Sequence, residues 1–192
     1  MYNYNVSLVA GFVAMAFAIS SYMFKKKLTF LIAQLGAMVF LAVSYLFIEE
    51  FFAMASMSIS VSRTITYMLL ERKGKAPKVW LKSLFAFSTI VSYVIVNLII
   101  LQTAKPLDLL LMSANVMYSF FFGIRNVKLL QSLMLIPTGV TSIYNFLAPA
   151  SLFVIISYVL EFFANVIGLI KIAINEKKQT VIEFKKKQSQ NG

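Results

Sequence analysis

The chain has 192 residues, of which 60% are hydrophobic and only 13% charged, and its mean hydropathy of +0.82 excludes a water-facing globular fold. The formal net charge of +11 is gathered into a few clusters between apolar stretches, a pattern of membrane topology rather than of a nucleic-acid-binding face. With neither Cys nor His, the chain has no disulfide, no thiolate or imidazole metal site and no catalytic imidazole, so neither enzyme chemistry nor a cofactor is expected.

The opening Met1-Tyr2-Asn3-Tyr4-Asn5 carries no basic residue, and the apolar stretch 6–24 precedes the cluster Lys25-Lys26-Lys27. A cleaved secretory signal has the opposite charge order, so the first crossing is expected to remain, with its N-terminus outside. Six further apolar stretches follow at 28–48, 51–70, 80–101, 107–124, 128–146 and 150–171. Each is near the roughly 20 residues that a helix needs to cross a bilayer.

The first connection holds three lysines, and the third holds Arg72, Lys73, Lys75 and Lys78 beside Glu71, with Lys82 just inside the next helix. The fifth holds Arg125 and Lys128, whereas the second holds Glu49 and Glu50, the fourth Lys105 and Asp108, and the sixth no charge. Basic residues on alternate connections predict seven crossings, with the C-terminus cytoplasmic. A single transmembrane domain over 1–172 and a basic cytoplasmic tail over 173–192 follow. Lys185-Lys186-Lys187 in that tail serve either to fix topology and solubility or to attach to anionic lipid headgroups. Tyr2, Tyr4, Phe51 and Phe52 are suited to the outer interface.

An odd helix count permits a triplet (6–70), a linker helix (80–101) and a second triplet (107–171) in the same orientation. A shift of 99 residues superposes Lys26 on Arg125, Tyr45 on Tyr144, Ser20 on Ser119, Ser58 on Ser157, Ser62 on Glu161 and Thr66 on Asn165.

The third stretch carries Ser60-Val61-Ser62-Arg63-Thr64, and Ile143-Tyr144-Asn145-Phe146-Leu147-Ala148 closes the sixth and runs on through the seventh to Asn165 and Lys171. In these residues the chain resembles the YgjV family of bacterial inner-membrane proteins over most of its length. Ser60 stands where the family pattern has Asn. The 3+1+3 layout is also similar to that of the SWEET sugar transporters and the PnuC vitamin transporters. That similarity implies facilitated passage of a small polar solute between the triplets. Gln34, Gln131 and Pro137 stand apart instead of forming a Pro-Gln pair, and Trp80 is the only Trp, so neither substrate carries over.

Arg63 and Glu161 lie deep in the third and seventh stretches, where a charge costs roughly 2.5–3.5 kcal/mol on insertion scales. They are expected to face the bundle interior and to pair across it, either as a gate or as a static clamp between the triplets. Ser157, Glu161 and Asn165 form one helical stripe, and Ser56, Ser60, Arg63 and Tyr67 another. Asn115, Tyr118 and Ser119 form a third stripe, and Asn97 adds an amide to the linker helix. These stripes are suited to lining a path for an uncharged polar solute, or to helix–helix packing and hydrogen bonding. Pro137 is expected to kink the sixth helix, and Gly123, Gly139 and Gly168 read as close-contact positions. The bilayer is the evident partner, and a chain this small can act as a homodimer. Two functions follow: a facilitator working by alternating access without a phosphate-binding loop, or a scaffold or accessory subunit with structural buried charges.

Overall fold

The computed structural model describes the backbone of residues 4–102, 105–148 and 152–190, with side chains described to Ile174 apart from those of 153 and 172. Tyr2 and the side chains of Lys185, Lys186 and Lys187 lie outside the described residues. The described backbone forms α1 (Tyr4–Ser21), α2 (Lys27–Phe47), α3 (Phe51–Arg72), α4 (Val79–Tyr93), α5 (Asp108–Phe121), α6 (Val127–Leu147) and α7 (Leu152–Gln190). In α4 the helix continues as a π-helical segment, Val94–Ile100. Helix is the form in which an apolar segment satisfies its backbone polar groups internally.

Among the described residues, four helical stretches are long and apolar enough to cross a membrane: Tyr4–Ser21, Lys27–Phe47, Val79–Ile100 and Val154–Lys171. Of the seven stretches expected to cross, α5 is apolar but short. The helices α3 and α6 run 22 and 21 residues but carry Ser, Thr, Arg, Gln and Asn along one face, and that face is buried. The segment expected as a polar tail is helical to Gln190. Residues 173–190 contain no Gly or Pro and are rich in Lys, Glu and Gln, so nothing in the chain stops the helix there.

The packing order follows the chain: α1 on α2, α2 on α3, α3 on α5, α5 on α6, α6 on α7 and α7 back on α1. The helix α4 lies against α3 and α5. The buried positions of α2 recur in α6, and some of those of α3 recur in α7. In α2 and α6 the buried positions match at an offset of 100 residues: Phe30 with Leu130, Leu31 with Gln131, Met38 with Thr138, Leu41 with Thr141 and Tyr45 with Asn145. In α3 and α7 the offset is 101, with Ser56, Ser60 and Thr64 answering Ser157, Glu161 and Asn165, all buried. The shift of 99 is therefore one or two residues short. It set buried Glu161 and Ser157 against Ser62 and Ser58, which are exposed and bond to their own helix.

Of the three close-contact glycines, two are tight and one is not. A Cβ on Gly168 would stand 3.1 Å from the backbone oxygen of Tyr22, and one on Gly123 would stand 2.4 Å from Lys82 Cε. A Cβ on Gly139 meets only Phe162, at 3.9 Å. Gly168→Leu is expected to force α7 away from α1 at a cost of about 1–3 kcal/mol, seen as a lower Tm in detergent, whereas Gly139→Ala leaves the Tm unchanged.

Candidate functional site

Polar side chains from four helices meet at a narrow cavity inside the helix ring. Gln34 comes from α2, Ser60 and Arg63 from α3, Asn115 and Tyr118 from α5, and Tyr158 and Glu161 from α7. Met38, Leu41 and Met57 complete its apolar wall. Its free volume, about 20 Å³, leaves room for one or two water molecules. A larger groove lined by Val6, Val9, Val13 and Phe40 lies between α1 and α2; its wall is apolar and offers no recognition chemistry.

Arg63 is fully buried. Its Nη1 donates to the backbone oxygen of Asn115 at 3.1 Å and to Ser119 Oγ at 3.0 Å, fixing the side chain against α5. Its guanidinium carbon lies 5.1 Å from the centre of the Phe122 ring and 5.9 Å from that of Tyr118. Both rings are within the range of cation–π attraction. Nε and Nη2 have no hydrogen-bond partner among the described residues.

Glu161 is held from the other side. Its Oε1 accepts from Tyr22 at 2.8 Å and from Gln34 Nε2 at 3.2 Å. Gln34 Nε2 also donates to Ser21 Oγ at 2.9 Å, tying α2 to α1. The expected Arg63–Glu161 ion pair is not formed; the ion pairs among the described residues are Lys27–Glu71 and Lys105–Glu50. Donors on α1 and α2 reach Glu161, and acceptors on α5 reach Arg63, so each charge is anchored on its own side of the cavity.

The remaining expected residues divide between the cavity and helix contacts. Ser60 donates to Asn115 Oδ1 at 3.1 Å, and the Tyr118 and Thr138 hydroxyls share a hydrogen bond of 3.1 Å, both at the cavity wall. Asn165 lies outside the lining and donates to the backbone oxygen of Gln131 at 2.9 Å, joining α7 to α6. Ser157 is buried outside the lining, and its hydroxyl has no partner among the described residues. Pro137 is buried within α6, where its missing amide leaves the Leu133 carbonyl without its usual donor.

Asn97 belongs to a second polar cluster. Within the π-helical segment it donates through Nδ2 to Asp108 Oδ2 at 2.7 Å, while the Tyr144 hydroxyl donates to Asp108 Oδ1 at 3.3 Å. Asp108, expected in a connection, is the first residue of α5 and only 2% exposed. Lys105 pairs with Glu50 at 3.5 Å nearby. Burial raises the Glu50 carboxyl above its ordinary pKa; Lys105 opposes the rise and Asp108 adds to it. Tyr22 and Gln34, the donors to Glu161, were not singled out from sequence as site residues. Gln34, an amide in mid-helix, was the signal available. Among the described residues no group of acidic side chains is placed to hold a metal ion.

Comparison with known proteins adds a family. The family model Imp-YgjV, described as a bacterial inner membrane protein, matches residues 6–176. Neither a curated protein nor a solved structure matches the chain.

Proposed function

We propose that this chain, which belongs to the Imp-YgjV family of bacterial inner membrane proteins, carries a small polar solute across that membrane by alternating access, without a chemical step. One observation carries the proposal: Gln34, Ser60, Arg63, Asn115, Tyr118 and Glu161, from α2, α3, α5 and α7, line one internal cavity, while Asn165, Ser157 and Asn97 lie outside it. The matched burial of α2 with α6 and of α3 with α7 supports a 3+1+3 repeat in which the two triplets rock about that cavity, with α4 as linker. On this reading the layout is SWEET-like. The alternation of basic connections supports seven crossings, with the N-terminus outside and the C-terminus in the cytoplasm.

The second reading, a scaffold or accessory subunit, draws on the small volume of the cavity and on interhelical clamps such as Asn165 to Gln131. Single cysteines separate the two, because the chain has none of its own. Ser60→Cys and Asn115→Cys, on the cavity wall, are expected to react with membrane-impermeant thiol reagents, each faster from one side. Asn165→Cys, buried against α6, is expected to stay protected. Protection at both cavity positions, with loop cysteines reacting normally, would favour the scaffold.

A further inference from the structure

We infer that the cavity between α3 and α7 takes a small zwitterion of amino-acid chemistry, its carboxylate on Arg63 and its ammonium on Glu161. This rests on the transport reading and narrows it. The two nitrogens of Arg63 that have no partner, Nε and Nη2, form one edge of the planar guanidinium. That edge presents two parallel N–H bonds, the fork that binds a carboxylate bidentately. The third nitrogen is already occupied by the Asn115 carbonyl and Ser119, so the free edge is held in place and needs no reordering.

Across the cavity, both described hydrogen bonds to Glu161 fall on Oε1. Neither falls on Oε2, the oxygen that the inference gives to the ammonium. The lining therefore includes one anchored guanidinium and one anchored carboxylate, on different helices and not paired with each other.

Charge balance selects the ligand. A simple carboxylate would satisfy Arg63 but bring an extra charge into the membrane interior. An amine would do the same at Glu161, and an uncharged polyol would leave both charges without an ionic partner. A zwitterion compensates both and leaves the net charge of the site unchanged. The one or two waters that the closed cavity admits are then displaced as the triplets part to receive it.

The test is thermal unfolding of the purified full chain in detergent with each of the twenty standard L-amino acids, β-alanine and γ-aminobutyrate, against propionate and ethylamine at equal millimolar concentration. At least one zwitterion is expected to raise the Tm by roughly 3–5 °C at tenfold excess over its Kd, with propionate and ethylamine at least tenfold weaker. The same zwitterion is expected to slow thiol labelling of Asn115→Cys. Propionate acting as well as the best zwitterion would overturn the inference in favour of a plain anion site. No response to any zwitterion, with Ser60→Cys and Asn115→Cys still labelled, would overturn the ligand class and leave the transport reading standing. No response and no labelling would overturn both.

Discussion

Asp108→Ala is expected to cost about 2–6 kcal/mol of stability, because it strands two buried donors at about 1–3 kcal/mol each. Asn97 Nδ2 and the Tyr144 hydroxyl both end on the Asp108 carboxylate, and Asn97 and Tyr144 are 0% and 1% exposed, so water does not replace the lost acceptor. Asp108 also opens α5, where a negative charge complements the exposed N–H groups of the first turn. Asp108→Asn keeps an acceptor and is expected to lose about 1 kcal/mol. Thermal unfolding in detergent should show a fall of at least about 5 °C for the alanine variant and a smaller one for asparagine. A double-mutant cycle with Asn97→Ala should return a coupling energy of at least 0.5 kcal/mol, as expected for directly bonded neighbours. An alanine variant that melts with the parent would mean that water or another donor set already serves this cluster.

Much of the architecture was legible because hydropathy and charge act locally. The expected stretches 28–48, 80–101 and 128–146 agree with the helices within a residue or so, their starts being marked by Lys27, Lys78 and Asn126. Depth was legible too: Arg63 and Glu161 are buried because a charge in an apolar stretch must face inward. Pairing was not. Which donor reaches Glu161 depends on how α1 and α2 pack against α7, and Tyr22 lies 139 residues away in the chain. Asp108 looked like a connection charge because Pro106 and Lys105 precede it, yet α5 starts there and draws it under α4. The offset at which α2 matches α6 and α3 matches α7 was not legible, because an apolar sequence aligns almost as well one residue out of register. Burial, which separates Ser60 from Ser62, fixes the offset.

Arg63→Met is expected to do the reverse of Asp108→Ala, leaving the unliganded Tm unchanged or raised while abolishing the response to zwitterions. The reason lies in what each substitution leaves behind. The two acceptors of Arg63 keep other partners: Ser119 Oγ itself donates to the Asn115 carbonyl at 2.9 Å, so that pair stays satisfied without the guanidinium. No group is stranded, the methionine chain keeps the apolar contacts with Tyr118 and Phe122, and a buried charge without an ionic partner is removed from the protein interior. Against that gain stand two charge-assisted hydrogen bonds, about 1.5–3 kcal/mol each, and a cation–π contribution of about 2 kcal/mol. The burial cost of an unpaired ion is itself several kcal/mol, so the terms nearly cancel. Arg63→Lys keeps the charge but loses the fork, and it too is expected to lose the ligand response. A guanidinium whose removal costs no stability has its use in what it binds. If Arg63→Met instead unfolded the chain, dropping the Tm by 5 °C or more, the charge would be a structural clamp and the scaffold reading would gain the argument that the cavity now gives to transport.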